Sequence, residues 1–235
     1  MSKDKNVEKI QEIFDENGFT FDDMLCFLGK NVTQLLMLPD NFHNRFKAMY
    51  DSLNKGNLPQ RKKGEALEKI TSILFQDGAA SLFDVYRNCR TSTNEIDLLI
   101  RWTENARVAN ISRDFPVFGD SFLCECKNYK EKVGVTYVGK FFSLMNVTDT
   151  KLGIMISWEG ISGRGEWSAA KGLVKKIALR ENRYIIVIDK HDLKCIYDKE
   201  TNIFSLVNDK VFALKNDVNF DTYIKSHEAE KCLHG

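Results

Sequence analysis

Ser121-Phe-Leu-Cys-Glu-Cys-Lys127 is the stretch on which the reading of the fold turns. In a strand, alternate residues face the same side. Phe122, Cys124 and Cys126 then face a core, while Leu123, Glu125 and Lys127 face the other way. Glu125 and Lys127 come to lie roughly 7 Å apart along the strand. A carboxylate beside an ammonium at a strand's end suits phosphodiester hydrolysis. The carboxylate can hold a divalent cation, and the lysine can position or deprotonate the attacking water and offset negative charge. The triplet alone is weak. An acidic residue two places before a lysine occurs three times, at Glu125-Cys-Lys127, Asp149-Thr-Lys151 and Asp192-Leu-Lys194. Only the first lies inside an apolar strand-like run.

Upstream stands Asn94-Glu-Ile-Asp-Leu-Leu-Ile100, where Asp97 interrupts a run that otherwise reads as a buried strand. A buried carboxylate is costly unless it is paired or binds metal. A strand-start aspartate that accepts backbone hydrogen bonds explains the position equally well. Further upstream, Lys63-Gly-Glu-Ala-Leu-Glu68 opens a helix. Glu65 and Glu68 are neighbours on its surface, and the helix dipole alone accounts for acids in a first turn.

Around these stretches the texture is that of an α/β layer plan. Residues from about 5 to 54 read as helical, with Val7, Ile10, Ile13 and Phe14 on one face, a cluster from Phe21 to Leu38, and a third helix after Pro39. Gly56 and Pro59 mark a linker. Then come a helix over Ala66–Leu74 and strands at Leu82–Tyr86, Ile96–Trp102 and Phe122–Lys127. A helix over Gly134–Val147, a buried strand at Leu152–Ser157, a helix over Trp167–Arg180 and a strand at Tyr184–Ile188 complete the series. Helices packed on a mixed sheet follow from that order. The expected organisation is a small helical region over 1–58, an α/β domain over 59–200 and an extension over 201–235.

Composition fits this plan. Hydrophobic residues are 43% and aromatics 11%, enough to bury a core. With 34 basic and 33 acidic residues, any face for nucleic acid must be local. None of the six cysteines forms a CxxC pair. The chain start is charged and has no apolar signal core, and runs such as Ile185–Ile188 are far too short for a bilayer. A cytoplasmic protein with reduced thiols and no membrane partner is the expectation.

Helix with glutamate, strand with aspartate, strand with Glu-x-Lys, then helix, resembles the restriction-endonuclease-like PD-(D/E)xK superfamily, and more closely its Mrr-like restriction endonuclease domains. Gly64–Glu68 matches their glycine-to-glutamate helix, and Glu95-Ile96-Asp97 their "G-x-D" strand start, with glutamate for glycine. Glu125-Cys126-Lys127-Asn128-Tyr129 matches their "Q/E-C-K-x-Y" strand. Val135–Phe142, Gly153-Ile-Met-Ile-Ser157, Ser168-Ala169-Ala170 and Ile185–Leu193 resemble the elements that follow, so the likeness spans about residues 62 to 200. One departure is Thr103–Asp120, longer than the usual hairpin, which is expected to reshape substrate access and offers Asp114 and Asp120 as rival ligands.

The resemblance implies a metal-dependent endonuclease acting on DNA, of restriction and defence type. It implies Asp97, Glu125 and the main-chain carbonyl of Cys126 as ligands of Mg²⁺, with Mn²⁺ as a substitute. Lys127 would orient or activate the water, and Glu68 would support the site, with Glu65 in reserve. Candidate phosphate contacts are Lys130 and Lys132 after the site, and Lys171, Lys175 and Arg180, whose spacing on the late helix suggests one exposed face. Trp158 and Trp167 flank the glycine-rich turn Gly160–Gly165, where core packing competes with base stacking. A homodimer is compatible with cutting two strands. The alternatives are a nuclease-fold DNA-binding module with little cleavage, a branched-DNA resolvase, and a structural protein whose carboxylates only form salt bridges.

Overall fold

The computed structural model describes residues 9, 12–20, 23, 36–56, 58–79, 82–90, 95–108, 111–127, 131–165 and 167–216. Most of the Phe21–Leu38 cluster, Lys130, and the tail with His227, Cys232 and His234 lie outside the described residues. The chain divides into two compact units, Met1–Met37 and Leu38–Gly235. In the first, residues 12–17 are helical and the ring of Phe14 meets that of Phe19 at 5.8 Å.

In the second unit, helix α1 (Asp40–Asn54) follows Pro39 and helix α2 (Gln60–Ser72) follows Pro59. Helix α2 runs into a π-helical turn, Ile73–Asp77. Strands β1 (Phe83–Arg90), β2 (Glu95–Trp102), β3 (Ser121–Lys127), β4 (Leu152–Ser157) and β5 (Tyr184–Ile188) form one sheet in that order. β1, β2 and β3 pair antiparallel, whereas β3, β4 and β5 pair parallel. Parallel neighbours need long crossovers. Helices α5 (Val135–Val147) and α6 (Ala169–Glu181) supply them, after α3 (Glu104–Val108) and α4 (Ile111–Asp114) between β2 and β3. The chain closes with α7 (Lys190–Tyr197) and α8 (Ile203–Lys215). This is the mixed α/β sheet flanked by helices that the sequence predicts.

The two sheet faces take different helices. Leu98, Ile100, Phe122 and Cys124 are buried on one face, where the Phe75 ring meets Phe122 at 5.6 Å edge to face. On the other face Gly153 leaves room for α5. A Cβ there would meet Met145 Sδ and the Phe141 ring at 2.7 Å. β4 is buried along its whole length, as a strand covered on both faces must be.

Helices on both sides of the expected 59–200 pack against it. Helix α1 packs on α2 and α7, and Tyr50 meets the rings of Trp158 and Tyr197 at 5.1 Å each. His43 is buried with Nε2 at 3.0 Å from the Tyr197 carbonyl. Helix α8 packs on β5 and α6, and Phe204 stacks on Phe83 at 5.5 Å. The apolar faces of α1 and α8 thus complete the unit on both sides of the expected limits.

Thr103–Asp120, expected to shape substrate access, also contributes to the core. The segment folds as α3, α4 and a 3-10 turn, Pro116–Phe118, and serves the core. Phe118 is fully buried among Phe83, Trp102 and Phe122, and the Trp102 indole N–H donates to the Gly119 carbonyl at 2.9 Å. Trp102 lies five residues along β2 from Asp97, about 17 Å at a strand's rise. Asp120, exposed at the same far end of β3, is separated from Glu125 by a similar length of strand, about 17 Å, and is no rival ligand. Among the described residues no helix is long and apolar enough to cross a membrane.

Candidate active site

The antiparallel register sets the central pair. Leu99 faces Leu123 and Leu98 faces Cys124, so one step further Asp97 falls opposite Glu125. Both carboxylates therefore belong to the Leu99–Leu123 face, away from α2. The ladder itself stops at this step. The Cys126 amide donates to Asp97 Oδ2 at 3.1 Å, so a side chain takes over from the main chain. The strand-start reading of Asp97 is thereby met. It does not exhaust the group, since a carboxylate has about four lone-pair sites.

Glu125 forms an ion pair with Lys127, the next residue on its face. Their side chains are 14% and 23% exposed, so the pair is largely withdrawn from water yet open on one side. Burial pushes the Glu125 carboxyl above the usual range, and the negative charge of Asp97 pushes it the same way. The Lys127 ammonium opposes both and does not cancel them. Cys124, inside the sheet, has its thiol held well up by burial and is inert as a nucleophile.

Two carboxylates that repel one another in a half-buried place suit a small divalent cation. Their oxygens are hard donors, and an ion such as Mg²⁺ keeps several waters. Among the described residues no group of three or more His, Cys, Asp or Glu side chains gathers into a metal-holding cluster. A cation here would therefore complete its shell with main-chain and water oxygens.

Helix α2 is keyed to the site from the opposite face. The Thr71 hydroxyl donates to the Leu67 carbonyl at 2.9 Å and lies 3.1 Å from Cys126 Sγ. With Phe75 against Phe122 and Thr71 against Cys126, the helix runs antiparallel to β3. The turn before Thr71 carries the exposed Glu68 toward the strand end where Lys127 stands. Glu65 lies on an earlier part of the helix and pairs with Arg61 at 3.1 Å. Thr71 escaped the sequence reading. Its signal was its place three residues after Glu68, on the same helix flank.

The parallel register places Ser157 of β4 beside Lys127. Past the two strand ends, Val133 and Ile161 form an isolated bridge that ties the two following loops together. Lys132 is exposed in the first of these loops, and Lys130 lies outside the described residues. The expected common face of Lys171, Lys175 and Arg180 is not found. Lys175 is 3% exposed, with Nζ 5.2 Å from the centroid of the Trp167 ring. Lys171 is half-buried, and the exposed Arg180, nine residues on, falls roughly half a turn away. Trp158 packs on Tyr50, whereas Trp167 is 52% exposed.

Residues 60–195 match the family model of the Mrr-type catalytic domain, described as restriction endonuclease. The chain belongs to this family. The match takes in both carboxylates, the lysine, all five strands and the helix with Glu68. Among solved structures, the chain is similar to a DNA modification-dependent restriction endonuclease, AspBHI, at 13% identity and a TM-score of 0.36. That alignment covers 79% of this chain and 43% of the other. No curated protein matches the sequence.

Proposed function

We propose that this restriction-endonuclease-family chain is a divalent-metal-dependent endonuclease that hydrolyses phosphodiester bonds of DNA at Asp97, Glu125 and Lys127. The observation that carries the reading is the register of β2 against β3, which sets Asp97 opposite Glu125 with Lys127 on the same face. Asp97 and Glu125 would hold the cation with the main-chain carbonyl of Cys126, and Glu68 would support it from α2, through water. When bound, Mg²⁺ or Mn²⁺ supplies positive charge at the scissile phosphate and favours ionisation of the attacking water.

The chain's own groups do the rest. Asp97, by accepting the Cys126 amide, fixes the end of β3 so that Glu125 and Lys127 keep their direction. Glu125 holds the Lys127 ammonium in place through their ion pair. Lys127 orients the water toward phosphorus and offsets the negative charge that grows on the phosphate oxygens. Lys132 and Lys171 would contact neighbouring phosphates. A homodimer would bring two such sites to the two strands of a duplex.

Supercoiled plasmid with Mg²⁺ or Mn²⁺, with and without EDTA, tests the reading. Nicking or linearisation that requires both the metal and Lys127 is expected, so Lys127→Ala should be inactive. Cleavage that survives Lys127→Ala or EDTA would place the activity elsewhere.

A further inference from the structure

We propose that Trp167 is a base-stacking platform, on which an unpaired nucleobase of the bound strand rests next to the cleavage site. The inference rests on the nucleic-acid reading of the Asp97–Glu125 site and adds to it a preference for strands with an exposed base.

Trp167 is the odd one of the three tryptophans. Trp102 is 1% exposed in the core and Trp158 packs on Tyr50, but Trp167 is 52% exposed. One side of its ring caps the nearly buried ammonium of Lys175, at 5.2 Å from Nζ. A ring backed by a cation and open to solvent elsewhere is an uncommon use of so large an apolar surface. Stacking on an aromatic side chain is how proteins bind bases without reading their sequence.

The main chain that carries the ring is also held in place, which lowers the ordering cost of a contact. Gly163, at φ 147°, lets the loop close on α6, since a Cβ there would meet the Ser168 carbonyl at 2.7 Å. The Ser168 hydroxyl donates to the Gly165 carbonyl at 2.9 Å, and the Lys171 amide donates to the Ser162 carbonyl at 3.0 Å. Gly172 allows α6 to press on the main chain of Trp167, where a Cβ would come within 2.3 Å of its carbonyl oxygen. Ala169, at φ 47°, keeps a left-handed conformation that a non-glycine residue adopts at a cost.

Position completes the case. The loop leaves β4 directly after Ser157, the residue paired with Lys127, and Ile161 bridges to Val133 just past the catalytic strand. Trp167 therefore belongs to the same end of the sheet as the carboxylates. Arg164 at the loop tip and Lys132 across the bridge are exposed, giving the strand's phosphates cationic partners on both sides. A stretch with aromatic and cationic side chains together fits a single strand better than an apolar protein surface.

The test is a titration of the 235-residue chain in EDTA, which separates binding from cleavage. Labelled duplexes, one fully paired and one with a single unpaired thymine, are followed by anisotropy and by quenching of tryptophan fluorescence. The unpaired-base duplex should bind about tenfold tighter and quench more strongly. Trp167→Ala should abolish that preference, and Trp167→Phe should keep part of it, with unfolding midpoints confirming that both variants fold. Equal affinity of the parent for the two duplexes, or a preference that survives Trp167→Ala, overturns the platform while leaving the nuclease reading standing. No binding of either duplex, with no plasmid cleavage, overturns both.

Discussion

The carboxylate of Asp97 accepts the amide of Cys126 at 3.1 Å, so the β2–β3 ladder ends on a side chain rather than on a carbonyl. One residue thus shapes the strand end and faces Glu125. The two duties can be separated. Asp97→Asn keeps an acceptor for the amide and should hold stability within about 0.5 kcal/mol, whereas Asp97→Ala should cost about 1–2 kcal/mol in urea unfolding. Both should lose at least about a hundredfold in plasmid nicking. Cleavage retained by Asp97→Asn would remove Asp97 from the metal site.

Glu125 makes stability depend on pH. Its carboxyl lies above the usual 4.5 in the folded chain, through burial and then through Asp97. A group raised on folding contributes stability while protonated, and that contribution is lost as the pH rises through the raised value. Glu125→Gln should therefore melt above the parent at pH 8, by about 2–4 °C per kcal/mol relieved, and the gap should close toward pH 4.5. Mg²⁺ should raise the parent's melting temperature and leave the variant's unchanged. A parent that melts higher at pH 8 would contradict the assignment.

Phe118 gives the insertion between β2 and β3 its role. Truncation to alanine removes a ring buried among Phe83, Trp102 and Phe122. The expected loss is about 3–5 kcal/mol, read from the guanidinium midpoint. If the segment were a substrate loop instead, the midpoint would hold and DNA affinity would fall.

Gly153 tests the other face. An alanine methyl would meet Phe141 and Met145 at 2.7 Å, so Gly153→Ala should destabilise by about 1–3 kcal/mol as α5 is pushed from the sheet. A variant as stable as the parent would mean that α5 sits further out.

Lys132 and Lys175 should part company in salt titrations of DNA binding. Lys132→Ala, an exposed site, should lower the slope of log affinity against log salt by about one. Lys175→Met should leave that slope unchanged, because the ammonium is buried beneath Trp167. A reduced slope for Lys175→Met would restore it as a phosphate contact.

Much of this was legible in the chain itself, and the reasons are physical. β4 and β5 announce themselves as unbroken apolar runs, Leu152–Ser157 and Tyr184–Ile188, because a strand covered on both faces admits little else. The period of two in β3 puts Glu125 and Lys127 on one side of the sheet. Residues 190–215 were harder, although Asp189 caps α7 with a full capping box and Asn202 caps α8. Both are turn-formers as well as caps, and a cap is decisive only once the helix behind it is known. The late lysines misled for a related reason. Spacing says which residues share a helix face, as Lys171 and Lys175 do, but not whether that face meets solvent or a tryptophan. The start of α6 at Ala169 rather than at Trp167 is likewise not set by spacing, since Ser168 is extended and Ala169 left-handed there.

The change from antiparallel to parallel pairing at β3 has a kinetic side. Asp97 and Glu125 lie on antiparallel neighbours joined through the short helices of Thr103–Asp120, while β4 and β5 must each await a longer helical crossover. Closing a chain segment costs entropy that grows with its length, and pairings near in sequence form first. The two acids should therefore meet while the parallel half of the sheet is still unmade. A nascent chain would then carry its repelling carboxylates before the helices that shelter them, and a divalent cation present at that stage would ease the repulsion and favour the β2–β3 pairing.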